Sequence, residues 1–372
     1  MSNTDGDVPR GLPRGDVPVS GVGSSYGIVG AVVSTGTVQS SAAVGLTLAD
    51  PELERNVSAI LRDVEAVLID TVHSANPLVT EASRHLLAAG GKRVRPLLVG
   101  LAAQFGDPTS RDVVTAGAVV ELTHLATLYH DDVMDEAPVR RGAPSANSRW
   151  GNALAILVGD YLFSRAADLA AELGVDAVRI QASTFSRLVH GQIDETAGPL
   201  DGEDAIRHYL RVLEHKTGSL ISTSARFGAM FGGCPPEQVE ALARFAETFG
   251  IAFQLSDDLL DIASDAAESG KTPGTDLREG VRTLPVLYAL ASADDDASSV
   301  RLRTILAAGP VTDDALHAEA LGLLRDSAAL KQARETVRGY SDAAREALSV
   351  LPDVPARAAL ESLCDVIADR TN

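Results

Sequence analysis

The sequence predicts an all-α fold, a single helical bundle around a deep central cavity, and three observations carry that prediction. Apolar residues recur at three- and four-residue spacing from about Asp50 onward, as one buried face of a helix requires. The breaks between these runs carry helix-stop residues, such as Gly90-Gly91, Gly106-Asp107-Pro108, Gly232-Gly233 and Pro235-Pro236. No segment alternates as a convincing strand, and only 4% of the residues are aromatic.

Residues 1–45 are rich in Gly, Pro, Ser and Val without helical periodicity, and 17–49 lack any charge, so 1–45 is expected to be a disordered tail. A helical domain is expected over 46–372. Its first helix is marked by Leu53, Val57, Ile60, Leu61, Val64 and Leu68. Helices then follow at roughly 78–89, 94–105, 111–135, 148–173, 175–196, 203–231, 235–264, 283–292, 312–324 and 328–349. Segments apolar on most faces, such as 153–173, belong at the centre.

With 372 residues the chain has ample length for a buried core. Its formal net charge of −19 repels phosphate backbones and argues against nucleic-acid binding. Cys234 and Cys364 belong to no CxxC or His/Cys cluster, which points to reduced thiols, a cytoplasmic location and no zinc site. No apolar run is long enough to span a membrane, and no signal peptide is read at the start.

Two clusters share the pattern Asp-Asp-x-x-Asp: Asp131, Asp132 and Asp135, then Asp257, Asp258 and Asp261. Positions i and i+4 lie about 40° apart around a helix, so the outer aspartates of each cluster share a face. Like charges there destabilise an isolated helix. Each cluster also follows an apolar stretch, Leu125 to Tyr129 and Ile251 to Leu255. One such cluster could be a solvated acidic face. Two of them, separated by a long helical stretch, point to oxygen-only sites for Mg²⁺ completed by substrate phosphates.

The basic residues run against the acidic field. Lys92, Arg93 and Arg95 follow the Gly90-Gly91 pair, and the next helix is expected to start near Pro96, where an anion is welcome. Arg140-Arg141-Gly142 follows the first cluster; arginine forks chelate phosphate oxygens. Lys216-Thr217 lies mid-helix and Gly270-Lys271 follows the second cluster.

These motifs resemble the trans-isoprenyl diphosphate synthases, especially their long-chain bacterial members. The match runs from about residue 50 to 290. It includes Gly-Gly-Lys-Arg-x-Arg-Pro at 90–96, His-Asp-Asp-Val-Met-Asp at 130–135 and Gly-Asp-Tyr-Leu at 159–162. Lys-Thr at 216–217, Phe-Gln-Leu-Ser-Asp-Asp-Leu-Leu-Asp at 253–261 and Gly-Lys-x-Pro-Gly-x-Asp-Leu at 270–277 complete it. The resemblance implies an isoprenoid-synthase-type bundle, usually a homodimer, that joins isopentenyl diphosphate to an allylic diphosphate. The product implied is a long all-trans polyprenyl diphosphate, in the heptaprenyl to decaprenyl range.

By the same resemblance, the six aspartates hold Mg²⁺, three ions per site, against the allylic diphosphate. Arg140, Lys216 and Lys271 touch that diphosphate, while Thr217 and Gln254 line the reacting region. Lys92, Arg95, His124 and Arg141 hold isopentenyl diphosphate, with Arg93 supporting them. Catalysis is assigned to Asp131, Asp132, Asp135, Lys216, Asp257, Asp258 and Lys271. No protein base is assigned. Val281 stands where the family often has Lys, which leaves Arg282 as the substitute, and Gly191-Gln192-Ile193-Asp194-Glu195 stands where Gly-Glu is frequent.

Product length is expected to be set one to three turns before Asp131, by Ala126, Thr127, Thr123 and Val120, whose small side chains leave the tunnel open. A short-chain geranylgeranyl diphosphate synthase and the catalytic subunit of a heteromeric synthase are the alternatives. A terpene cyclase would not need the second set of cations, and a regulatory subunit would not need all six aspartates. Release of a greasy product suggests transient contact with a membrane surface.

Overall fold

The computed structural model describes residues 46–263 and 273–370. The tail predicted at 1–45 and Lys271 lie outside the described residues. Asp50 opens α1 (Pro51–Thr71), its carboxylate accepting from the amides of Glu52 and Leu53 at 3.0 and 2.8 Å. Asn76 caps α2 (Pro77–Ala88) in the same way. α3 (Val94–Ala103) begins two residues before Pro96, which puts Arg95 inside the first turn. α4 (Arg111–Met134) carries the first aspartate cluster at its C-terminal end.

After α4 comes a two-stranded hairpin that the sequence reading did not foresee, Val139–Arg140 against Ala143–Pro144. Its turn residues Arg141 and Gly142 both have positive φ, 53° and 76°. That is the turn geometry which matches strand twist, and only one of its two central residues here is a glycine.

The expected helix at 148–173 is split at Gly151 into α5 (Ala146–Trp150) and α6 (Asn152–Leu173). α7 (Val175–Ala197) follows. The expected helix at 203–231 is three pieces: α8 (Ala205–Leu213), a π turn at Glu214–Gly218, and α9 (Ser219–Phe231). α10 (Pro236–Ala263) carries the second cluster. The remaining helices are α11 (Thr275–Glu279), α12 (Leu284–Ala291), α13 (Ala297–Ala307), α14 (Asp314–Arg325), α15 (Ala328–Leu348) and α16 (Pro355–Arg370). The sequence reading missed α11, α13 and α16; Gly, Pro or acidic residues interrupt their surroundings, and α11 has barely one turn.

Among the described residues two large apolar cores and a small third one, around Ile305, Val311 and Ala320, hold the bundle. One joins α1–α4 to α6 and includes Leu68, Leu86, Leu122, Leu125 and Tyr129; the other joins α10 to the C-terminal helices and includes Phe245, Leu255, Val337 and Leu360. α4 and α10 are thus buried along most of their length, which fixes the two aspartate clusters at their ends. No helix among the described residues is long and apolar enough to cross a membrane.

Candidate active site

The two clusters are connected through the π turn. Inserting one residue into a helical turn re-aims the side chains that follow, and such turns favour functional positions. Here it presents Lys216 and Thr217. Lys216 is ion-paired with Glu195 of α7 and close enough to Asp131 to affect its charge. Thr217 donates to Gln254 Oε1 at 3.5 Å, and Gln254 Nε2 donates to Asp258 Oδ1 at 3.0 Å. The approach of α7 to this turn depends on Gly191, where a Cβ would lie 2.8 Å from the Lys216 amide nitrogen.

In the first cluster, Asp132 is fully buried and accepts from Arg140 Nε at 2.5 Å, while its Oδ2 is buried without a partner. Burial pushes the Asp131 carboxyl up to about 6; Lys216 opposes the shift and Asp135 adds to it. Asp135 is exposed at the helix end.

The second cluster is held differently. Tyr209 of α8, two turns before Lys216, donates its hydroxyl to Asp258 Oδ2. Burial pushes Asp258 up to about 6, against the hydrogen bonds from Tyr209 and Gln254. Asp261 accepts from the amides of Thr275 at 3.2 Å and Asp276 at 3.1 Å, so it caps the start of α11. Asp257 is half-buried on α10.

Among the described residues no three acidic, His or Cys side chains are already arranged as a metal cage. The reason is visible in the partners just named, which hold Asp132, Asp258 and Asp261. The donor set still fits Mg²⁺, which keeps several waters and takes only one or two carboxylates together with substrate phosphates. The unpartnered buried Asp132 Oδ2 is the observation that favours a cation.

A cavity of about 240 Å³ joins this centre to Arg95, one of the predicted cations. Asp131, Lys216, Thr217 and Gln254 line it, as do Arg95 and His124. Arg95 has a buried Nε without a partner; burial lowers it to about 10, opposed by Glu121. Burial, then Arg95 and Arg141, hold His124 well below its ordinary range, so its ring is neutral. An anion entering here would satisfy Arg95 and relieve this repulsion.

Arg141 is spent partly on the fold, donating to the carbonyls of Leu86 (3.0 Å) and Gly90. Its guanidinium packs on Gly91, where a Cβ would come within 2.8 Å of Cζ. Arg93 is wholly engaged inside the chain, with Glu65 at 3.1 Å, Glu121 at 3.0 Å and the Leu87 carbonyl at 3.1 Å. It braces the loop, and beside it stands the exposed Lys92, whose ammonium lies 5.8 Å from the Phe253 ring centre.

Of the four residues expected to govern product length, Thr127 lines the cavity. Val120, Thr123 and Ala126 are buried in the core around α4. A second, wider cavity of about 810 Å³ takes in Asp135, Tyr209, Lys216 and Arg282. Arg282 thus lines the same cavity as Asp135.

Sequence reading missed Tyr209, Gln192 and Glu195 as site residues. Tyr209 sits seven residues before Lys216, a two-turn spacing that places it on the same side of the helix and could have pointed to it. Gln192 lines both cavities and has a buried, unpartnered Oε1.

Comparison with known proteins gives a consistent result. A model of the family described as polyprenyl synthetase matches residues 76–322. The nonaprenyl diphosphate synthase of Mycobacterium tuberculosis is 50% identical over 88% of this chain and 97% of its own. A dimethylallyltranstransferase of the same organism is 43% identical over 86% and 97%. Among solved structures, a geranylgeranyl pyrophosphate synthase from Corynebacterium glutamicum, complexed with calcium and isoprenyl diphosphate, is 44% identical. It superposes with a TM-score of 0.80 over 88% of this chain and 100% of that one.

Proposed function

We propose a specific reaction for this chain, which belongs to the polyprenyl synthetase family and is a prenyl transferase. It extends an allylic diphosphate with isopentenyl diphosphate to a long all-trans polyprenyl diphosphate, in the heptaprenyl to decaprenyl range. One observation carries this reading: Asp131 of the first cluster shares a cavity with Lys216, Arg95 and His124, and Thr217 and Gln254 of the same cavity lead by hydrogen bonds to Asp258 of the second cluster. A cyclase that ionises one diphosphate has no use for the second set.

In this reading the residues divide the work. Asp131, Asp132, Asp135, Asp257, Asp258 and Asp261 are the groups that would hold Mg²⁺, three ions in this reading. When bound, Mg²⁺ supplies Lewis-acid stabilisation of the departing diphosphate. Lys216 and Arg140 would add fixed positive charge to the same leaving group; Lys271, outside the described residues, has that role only by the sequence resemblance. For Lys216 this requires exchanging Glu195 for a phosphate oxygen. Lys92, Arg95, Arg141 and neutral His124 hold isopentenyl diphosphate so that its double bond faces the allylic carbon. Arg93 holds this loop in place. Thr217 and Gln254 line the reacting region, where apolar walls exclude water.

The chain is proposed to work as a homodimer in the cytoplasm, with transient membrane contact on product release. Exposed Ile156 and Leu157 of α6 and Val178, Val189 and Ile193 of α7 make an apolar surface suited to a second copy. The narrow 240 Å³ cavity and the likeness to a geranylgeranyl pyrophosphate synthase favour a short product as the second reading.

The test is a product assay with farnesyl diphosphate, labelled isopentenyl diphosphate and Mg²⁺, with and without EDTA, sizing the dephosphorylated products. A Mg²⁺-dependent ladder reaching seven or more isoprene units supports the long-chain reading. A stop at four units selects the second reading, and no incorporation from any primer overturns both.

A further inference from the structure

The hairpin at 139–144 carries two cations of the site, Arg140 and Arg141, yet part of what holds it lies outside the site. Arg141 stands at its turn in the left-handed backbone region, φ 53°, which a residue with a Cβ rarely adopts. Such a conformation persists only where the surroundings over-determine it. Arg141 is tied to α2 through a single nitrogen. Its Nη1 donates to the carbonyl of Leu86 at 3.0 Å and to that of Gly90, just beyond the helix. One nitrogen is one point of attachment, so the direction of the rest of the fork depends on how the hairpin itself lies on α2.

His85 supplies a second point. Its Nε2 lies 2.6 Å from the carbonyl of Pro144, which pairs with Val139 across the hairpin. A carbonyl only accepts, so Nε2 carries the proton. Two attachments on adjacent residues of α2, 85 and 86, keep the hairpin from pivoting. His85 is in turn clasped from α5, the helix that follows the hairpin. The Trp150 ring stands edge-on to the imidazole, with centres 5.0 Å apart and planes at 88°. The Arg149 guanidinium lies 4.3 Å from the Trp150 ring centre and pairs with Glu81, one turn before His85 on α2. None of these four side chains lines either cavity at the aspartates. Any influence they have on the chemistry runs through the hairpin.

We propose that His85 is a positioning residue for prenyl transfer: by holding the Pro144 carbonyl it aims Arg141 at the diphosphate of isopentenyl diphosphate, with Trp150 fixing its ring. This rests on the prenyl-transfer reading. Arg140 has its own anchor in the buried Asp132, at 2.5 Å, so the allylic side of the site depends less on the clasp. The clasp therefore governs one substrate more than the other.

The experiment is steady-state kinetics on the full-length protein with Mg²⁺, varying farnesyl diphosphate and isopentenyl diphosphate in turn. Calorimetric titration of isopentenyl diphosphate into the protein with EDTA present gives a second readout. Loss of one hydrogen bond in His85→Ala is expected to raise the KM for isopentenyl diphosphate, and the Kd of the metal-free complex, by about three- to tenfold. The kcat and the KM for farnesyl diphosphate are expected to change by less than about twofold. His85→Gln, whose amide nitrogen can donate to the same carbonyl, is expected to recover most of the loss. Trp150→Leu is expected to show the same split more weakly, and reads it should His85→Ala not fold. The double variant is expected to be no worse than His85→Ala alone, because Trp150 acts through His85. An unchanged KM and Kd for isopentenyl diphosphate in folded His85→Ala overturns the proposal while leaving prenyl transfer intact. So does an equal rise in both KM values, or no recovery in His85→Gln. Wild-type protein that incorporates no label from any primer overturns prenyl transfer, and the proposal with it.

Discussion

The two aspartate clusters share one pattern in the sequence, yet Asp132 and Asp131 of the first and Asp258 and Asp261 of the second are held in different ways. In the first, the partners are charged: Arg140 on Asp132, and Lys216 near Asp131. In the second, the partners of Asp258 and Asp261 are neutral: the Tyr209 hydroxyl and Gln254 amide on Asp258, and two backbone amides on Asp261. The first cluster is therefore poised to trade cations with a substrate. The second doubles as local architecture, since Asp261 starts α11 and Asp258 ties α8 to α10.

Substitutions can break this comparison at graded strength. Asp131→Ala and Asp257→Ala are expected to have the largest effect, about a thousand-fold loss of kcat/KM, which corresponds to about 4 kcal/mol of transition-state stabilisation. Thermal melting should stay near wild type for Asp131→Ala, because that carboxylate is buried at a cost. A near-wild-type rate in either variant would contradict the metal assignment.

Tyr209→Phe comes next. It removes the hydroxyl that orients Asp258 and leaves the ring, so the Mg²⁺ concentration for half-maximal rate should rise several-fold. Mg²⁺-induced protection in a melting experiment should weaken in parallel. An unaltered Mg²⁺ dependence would mean that Tyr209 only fills space.

Asp261→Ala separates architecture from chemistry. Losing a helix cap costs about 0.5–2 kcal/mol, so the melting temperature should fall measurably. It should fall further than in Asp131→Ala, while activity falls less. The reverse ranking would make metal binding, rather than the cap, the larger of its two roles.

The smallest effect concerns pH. Burial holds Asp131 and Asp258 near 6 in the folded chain, above the ordinary carboxylate range. Between about pH 4 and 6 the folded state then binds more protons than the unfolded one, so these groups destabilise the metal-free protein as pH rises through 6. Lowering the pH from 7 to 5 should raise its melting temperature relative to an Asp131→Asn/Asp258→Asn variant, and Mg²⁺ should protect less at the lower pH. Parallel curves for the two proteins would remove this account.

Much of the site was legible because its residues are local in sequence. An Asp-Asp-x-x-Asp on an apolar helix announces its face by the 3.6-residue period alone. The Gly90–Pro96 run likewise shows its cations beside a turn. What was not legible depended on partners distant along the chain. The engagement of Arg93 by Glu65 and Glu121 crosses 28 residues in each direction. The Tyr209–Asp258 bond spans 49. The split at Glu214–Gly218 could not be read from Glu-His-Lys-Thr-Gly, which suits an unbroken helix well enough.

Composition, helical period and the charged motifs determined by themselves that this chain is all-α, that two carboxylate clusters sit on helices, and which cations accompany them. Each of these properties is written in spacings of a few residues, the range over which backbone geometry is rigid. Only the tertiary structure decided which aspartates are tied to cations and which to neutral donors. It also decided that Arg93 braces the fold while Arg95 faces the cavity, and that His85 of α2 holds the hairpin that carries Arg141. Those outcomes depend on how helices far apart in sequence pack, and burial and pairing are properties of that packing rather than of any one segment.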